Sequence, residues 1–400
     1  MQFSLNGFLL SISFALDCIE RDILGVKLNH GKRVAYNALL IGQQMGMTQD
    51  DLVDMVAFSI LHDNGISGCL TEHKLMDRKK VFLFENIKKH CTIGEKNIED
   101  YPLLKKERNI ILYHHERLDG SGYFHMKGDA IPLKAQILGL ADYVDTHFKV
   151  NMMYGDYEER VIDHIKKLRN VKFSEKICDS FFKVIEPVYY RLDQEDANIE
   201  AALDKRAPYK FLDLDYFQIH EITAVFSRII DTKSKFTWRH SKGLSEKAGI
   251  MAEFYDYSAE ETVKLRIAAD LHDIGKLLIS NDILEAERRL TAEEFAKIQC
   301  HTYYTRKALN KISGFEDITQ WAANHHEKLN GKGYPYCKTA KELDFNSRLL
   351  GCLDIYQALT EDRPYRAGME HSHVVHIMRD MADGGFVDRT IVDDITQVFG

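Results

Sequence analysis

Five histidines and two aspartates recur in the same order in the two halves of this 400-residue chain, and one domain cannot account for that repeat. In the first half they are His30, His62, Asp63, His90, His114, His115 and Asp142. In the second they are His240, His272, Asp273, His301, His325, His326 and Asp354. The offset is 210 residues from His30 to His240 and from His62 to His272, 211 from His90 to His301 and from His114 to His325, and 212 from Asp142 to Asp354. Two small indels across more than a hundred residues mark an internal duplication. With two copies of so long a period, the expectation is a tandem of globular domains and not a solenoid. The length agrees, since one domain usually organises roughly 100–200 residues.

The spacing around these residues is helical. Phe8, Ile12, Ala15, Leu16 and Ile19 recur at three- and four-residue steps and predict an amphipathic helix over 3–24. A second helix is expected from about His30 to Gly46, and Thr48 to Asp51 starts a third with a cap. After Pro102 a helix is expected to end in Tyr113-His114-His115-Glu116, followed by a glycine turn at 119–123 and a helix over 132–145. With only six prolines, the whole reads as an all-α chain. The expected boundaries are 1–190 for the first domain, 191–215 for a charged, semi-rigid linker and 216–400 for the second domain.

Composition narrows the partners. A net charge of −8 provides no basic field for a nucleic-acid polymer, so a nucleotide ligand must be held by local charges or metals. Seven cysteines, an odd number with no CxxC pair, read as reduced thiols of a cytoplasmic protein. The apolar stretch from Phe8 to Leu16 is too short to span a bilayer and lacks the basic start of a signal peptide, so no membrane association is expected. A homodimer is left open.

The chemistry centres on Leu271-His272-Asp273-Ile274-Gly275-Lys276. At ~3.6 residues per helical turn, His272, Asp273 and Lys276 are expected on neighbouring parts of one helical face. A carboxylate can bridge two cations, each neutral imidazole offers one nitrogen, and a lysine beside them suits a bound phosphate. The bland alternative is a buried hydrogen-bonded His–Asp pair. Five imidazoles and two carboxylates at matched positions instead suit two divalent first-row metals, with room left for water. Such a set points to phosphoester hydrolysis.

The second half resembles the HD-GYP subfamily of HD-domain metal-dependent phosphohydrolases. The resemblance rests on His272-Asp273-Ile274-Gly275-Lys276, His325-His326-Glu327, Gly333-Tyr334-Pro335, and Asp354 to Thr360 leading to Arg363-Pro364-Tyr365-Arg366. It implies an all-helical HD bundle and a phosphodiesterase that opens cyclic di-GMP to pGpG or GMP. By family position, His240, His272, Asp273 and Asp354 would hold one metal, and Asp273, His301, His325 and His326 the other. Iron or manganese is expected first, with magnesium, nickel, cobalt or zinc as alternatives. Asp273 and Lys276 would be catalytic, and Lys276, Tyr334, Arg363 and Arg366 would contact the dinucleotide. Two departures stand out. Phe236 replaces the glutamate that supports a third metal in some members, so two metals are expected. Residues 336–345 lack the family's glycine-rich, Ile-Pro-containing loop.

The first half resembles the broader HD family less completely. Its seven candidate ligands are present, but Ile66 stands at the lysine position, Phe124 replaces the proline of Gly-Tyr-Pro, and Thr146-His147-Phe148 replaces the arginine-rich stretch. A metal-loaded structural or regulatory domain, a phosphatase for a smaller product and an empty relic are all compatible with that pattern. For the whole chain the leading expectation is a cyclic di-GMP phosphodiesterase. Its rivals are a cyclic GMP-AMP phosphodiesterase, another nucleotide phosphohydrolase such as a 5′-nucleotidase, and a receptor that binds cyclic di-GMP without turnover.

Overall fold

The computed structural model describes residues 1–24, 28–66, 84–99, 101–148, 156–232, 240–286, 288–362 and 367–400. The chain divides into two compact units, residues 4–211 and residues 212–400 together with Met1–Phe3. The first three residues join the second unit because β1 (Gln2–Phe3) pairs antiparallel with β2 (Leu212–Asp213), Gln2 facing Asp213. The terminal ammonium of Met1 donates to the Leu214 carbonyl at 2.6 Å. Apart from this ladder and two isolated bridges, regular structure among the described residues is helical, as expected for an HD fold. No described helix is long and apolar enough to cross a membrane.

The first unit contains α1 (Leu5–Leu24), α2 (His30–Gln44), α3 (Gln49–Leu61), α4 (Phe84–Asn97), α5 (Leu133–His147), α6 (Tyr157–Leu168), α7 (Glu175–Ile185), α8 (Val188–Asp193) and α9 (Ile199–Arg206). Helix α2 is its axis, buried continuously from His30 to Gly42 against α1, α3, α5, α7 and α9. Helix α3 starts at the expected cap: the Thr48 hydroxyl accepts from the Asp51 amide while the Asp51 carboxylate accepts from the Thr48 amide. In α1, Phe8, Ile12 and Leu16 form the buried stripe that the spacing predicts.

The second unit repeats this order with α10 (Tyr216–Thr232), α11 (His240–Phe254), α12 (Ala259–Leu271), α13 (Asn281–Leu284), α14 (Ala292–Leu309), α15 (Glu316–Asn324), α16 (Phe345–Thr360), α17 (His371–Asp383) and α18 (Arg389–Phe399). Here α12 packs against α10, α11 and α15, and α16 packs across α11 and α15. His240, His272, Asp273, His325 and His326 thus fall at or beside helix ends, and His301 and Asp354 on α14 and α16, which both pack against α15.

Two expectations are corrected. The helix foreseen before His114 is a set of turns between Tyr101 and Pro132, with only a short 3₁₀ turn at Gly128–Ala130. Lys106 and Asn109 take left-handed backbone (φ 48° and 66°), which interrupts an α-helix, and the Glu95 carboxylate caps the amides of Asn109 and Leu112 instead. The stretch 191–215 is not a plain linker, because α8 and α9 pack into the first unit. Its apolar residues are too sparse to show a period, yet Ile199 and Leu203 are fully buried. Its charges pair with α2: Asp193 with Tyr36 at 2.6 Å, Asp196 with Arg33 at 3.0 Å and Glu200 with Lys32 at 2.8 Å. Leu203→Ala should therefore lower the stability of the first unit by ~2–5 kcal/mol in urea titrations. A loss within ~0.5 kcal/mol, typical of a surface position, would return this stretch to linker status.

Candidate metal centre

The string around Asp273 is not one helical face. Helix α12 ends at Leu271, His272 caps it, and the chain tightens into a 3₁₀ turn over Ile274–Leu278. The tightening brings Gly275 against the backbone of α14, where a Cβ would collide with the His301 carbonyl. Gly65 meets the His90 carbonyl in the same way in the first unit. Thr305 locks the turn: its hydroxyl donates to the His272 carbonyl at 2.9 Å and accepts from the Gly275 amide at 3.2 Å. Lys276 still reaches Asp273, Nζ to Oδ2, at 2.6 Å, because three residues of 3₁₀ turn eclipse their side chains.

The histidines are oriented by their own helices. Nδ1 of His272, His301 and His325 lies 2.7, 2.6 and 2.6 Å from the carbonyl three residues earlier. A carbonyl only accepts, so Nδ1 carries the hydrogen and Nε2 presents a lone pair, the tautomer that ligates metals. These Nε2 atoms converge on Asp273. His272 is 3.2 Å from Oδ2, while His301 and His325 are 3.4 and 3.7 Å from Oδ1. Asp354 closes the other side, with Oδ1 3.0 Å from His240 Nε2 and 3.9 Å from His272 Nε2, and Oδ2 3.9 Å from His326 Nδ1.

These donors fit divalent cations. His272 Nε2 and Asp273 Oδ1 are buried without a hydrogen-bond partner, a state that costs ~1–3 kcal/mol for each group unless something fills it. Ligand atoms of His240, His272 and Asp273 lie within 4.8 Å of one another, as do those of His301, His325 and His326. His301 and His325 Nε2 are 3.3 Å apart, and two imidazoles each ~2.0–2.1 Å from a shared tetrahedral ion would be separated by about the same distance.

Electrostatics keep the set in ligand form. Burial pushes His301 down to about 4 and His325 and His326 well below the usual histidine range. Burial works against the Asp273 carboxylate, but the His272 ring and the Lys276 ammonium hold it well below the usual carboxylate range. His240 differs: against the effect of burial, the Asp354 and Glu361 carboxylates raise it to about 9.

The first unit assembles the same shell from His30, His62, Asp63, His90, His114, His115 and Asp142. Nδ1 of His62 and His114 donates to Ser59 and Ile111 carbonyls at 2.9 and 2.6 Å, and both Nε2 atoms are buried without a hydrogen-bond partner. Asp63 Oδ1 lies 3.4 Å from His90 Nε2 and 3.9 Å from His114 Nε2, and Oδ2 lies 3.4 Å from His62 Nε2. Asp142 Oδ1 is 3.4 Å from His30 Nε2, and Oδ2 is 3.8 Å from His115 Nδ1. Ile66 is buried at the Lys276 position, so no ammonium reaches this shell from the turn after α3.

Of the residues expected to contact a substrate, Tyr334 stands with its ring centroid 4.9 Å from that of His326. Arg363 and Arg366 lie outside the described residues, as does Phe236. Sequence reading missed the carboxylates behind the ligands. Glu361 receives His240 Nδ1 at 3.2 Å, and Asp145 receives His30 Nδ1 at 2.7 Å. They sit seven residues after Asp354 and three after Asp142, so the repeat could not reveal them. Glu327 and Glu116, each following the histidine doublet, were legible as a repeat but not as a function. Glu327 accepts the Tyr336 and Lys338 amides at 2.8 and 2.9 Å, and Glu116 accepts the Phe124 and Met126 amides at 2.7 and 2.6 Å. They fold the glycine turns back over the shells.

Carboxylates that orient metal-binding histidines are worth ~10–100-fold in metal affinity. Glu361→Gln should weaken metal retention by the second unit by that factor in chelator competition, and unchanged retention would leave Glu361 without an orienting role. His301→Ala should reduce, not abolish, the metal of the second unit in elemental analysis. Unchanged stoichiometry would contradict a ligand set divided around Asp273.

A family model described as HD domain matches residues 21–175 and 224–391. The chain is similar to 3′3′-cGAMP-specific phosphodiesterase 1 of Vibrio cholerae serotype O1, with 29% identity over 96% of this chain and 90% of that protein. It is 26% identical to a cyclic di-GMP phosphodiesterase of Pseudomonas aeruginosa over 37% of this chain and 36% of the relative. Its fold resembles the crystal structure of a cyclic GMP-AMP specific phosphodiesterase of V. cholerae, V-cGAP3, with a TM-score of 0.70 over 100% of this chain and 98% of the other, at 23% identity. With matched copies covering most of its length, the chain belongs to the HD-domain family.

Proposed function

We propose that the unit formed by residues 212–400 is a metal-dependent phosphodiesterase that opens a cyclic dinucleotide, with 3′3′-cyclic GMP-AMP as its preferred substrate. The observation that carries the chemistry is the placement of Asp273 between His272 on one side and His301 and His325 on the other, with Lys276 on its outer oxygen. Two divalent cations, iron or manganese, would be held by His240, His272, Asp273 and Asp354 and by Asp273, His301, His325 and His326. When bound, they supply Lewis acidity to the scissile phosphate and to a water molecule.

The chain's own residues do the rest. Lys276, partly exposed beside the shell, turns its ammonium to a phosphate oxygen and offsets charge that grows during displacement. Tyr334, packed on His326 and held by the loop that Glu327 caps, walls the cleft on the substrate side. The intact ligand set favours turnover over a receptor role.

The choice of cyclic GMP-AMP over cyclic di-GMP rests on extent. The relative that acts on 3′3′-cGAMP matches across nearly the whole chain, both HD copies included, whereas the cyclic di-GMP phosphodiesterase matches just over a third. The first unit, with Ile66 in place of the lysine, is not assigned diester cleavage.

The test is incubation of the manganese- or iron-loaded chain with each cyclic dinucleotide, followed by chromatography of the products. Faster opening of 3′3′-cyclic GMP-AMP is expected. A preference for cyclic di-GMP would overturn the substrate, and no cleavage of either would overturn the enzyme. Lys276→Ala should keep its metal while kcat falls ~100- to 1000-fold, the worth of one positioned charge donor. Loss of metal in that variant would make Lys276 a structural partner of Asp273.

A further inference from the structure

A thiol enters the first unit's shell at a point where the second unit has none. Cys91 follows His90 on α4 and is fully buried. Its Sγ lies 3.5 Å from His90 Nε2 and 4.0 Å from His114 Nδ1. Candidate donor atoms of His90, Cys91, His114 and His115 all lie within 4.8 Å of one another. In the second copy the matching residue is Thr302, whose hydroxyl turns away to the Gln299 carbonyl at 3.1 Å.

The separations suit coordination. A thiolate ~2.3 Å and an imidazole nitrogen ~2.0–2.1 Å from one tetrahedral ion stand about 3.6 Å apart. The observed 3.5 Å between Cys91 Sγ and His90 Nε2 is that edge. His114 has committed Nδ1, which lies 4.0 Å from Cys91 Sγ, to the Ile111 carbonyl at 2.6 Å, and its buried Nε2, without a hydrogen-bond partner, lies 3.9 Å from Asp63 Oδ1. Asp63 Oδ1, 3.4 Å from His90 Nε2, adds an oxygen donor.

We propose that Cys91 is a metal ligand, so that the first unit holds a mixed thiolate, imidazole and carboxylate centre that selects zinc, while the second unit's shell of nitrogen and oxygen suits iron or manganese. Soft sulfur donors favour zinc over those hard-to-borderline ions, and geometry with ligand type sets selectivity where raw affinity does not. Coordination releases the thiol proton to solvent and leaves the sulfur as thiolate. The inference concerns the first unit alone and stands whether or not the second cleaves a cyclic dinucleotide.

The experiment is optical spectroscopy of the full chain loaded with cobalt(II), read without any activity assay. The unsubstituted protein should show a near-ultraviolet thiolate-to-cobalt charge-transfer band, and Cys91→Thr, which installs the residue of the second copy, should lose it while cobalt stays in the second unit. Absence of the band from the unsubstituted protein overturns the proposal, as does its persistence in Cys91→Thr. A second measurement does not depend on that variant folding. X-ray absorption of the zinc-loaded Cys69→Ser/Cys300→Ser/Cys337→Ser chain should show a sulfur neighbour at ~2.3 Å, and a shell of nitrogen and oxygen only would reject Cys91 as ligand.

Discussion

The geometry of both centres depends on a short hydrogen bond that five of the histidines make to their own chain. His272, His301 and His325 donate Nδ1–H to the carbonyl three residues earlier, as His62 and His114 do in the first unit. At His62, His272 and His325 that bond satisfies a carbonyl the ending helix leaves free, and at all five it fixes tautomer and ring plane together. Ring direction is then a property of the local backbone, so packing that backbone also aims the nitrogens. Burial keeps His301, His325 and His326 neutral, which is the form a cation needs.

Asp273 is the complementary constraint. A buried carboxylate that loses one partner becomes an uncompensated charge costing ~3–5 kcal/mol. Here the His272 ring and the Lys276 ammonium surround it, and the glycine at 275 lets the turn come close enough to α14 for His301 to join them. The same residues that make the carboxylate tolerable inside the fold place it between two groups of donors, so stability and site share one arrangement.

The two copies separate what the scaffold requires from what each site adds. Both retain the seven candidate ligands, the buried glycine of the tight turn and the glutamate that caps the following loop. They differ in the groups around that frame: Lys276 against Ile66, Thr302 against Cys91, and a His-orienting carboxylate from Glu361 in one and Asp145 in the other. The frame accepts these changes because it is built from backbone carbonyls and helix ends, while the varied side chains only touch it.

Much of this was legible in the chain. Offsets of 210 to 212 residues marked the duplication and the candidate ligands, because a metal shell needs particular side chains and a duplicated gene keeps their order. Three- and four-residue spacing marked α1, because Phe8, Ile12 and Leu16 form its buried face. The turns before His114 were not legible, because left-handed Lys106 and Asn109 have no compositional mark. Nor were α8 and α9, whose charges looked like solvent exposure until Asp193, Asp196 and Glu200 were seen paired with α2. The sequence by itself determined which side chains are candidates for metal and that they come in two sets. Only the tertiary structure decided that Glu361 and Asp145 stand behind equivalent histidines and that Cys91 faces a shell, because those contacts join residues whose separation along the chain follows no period.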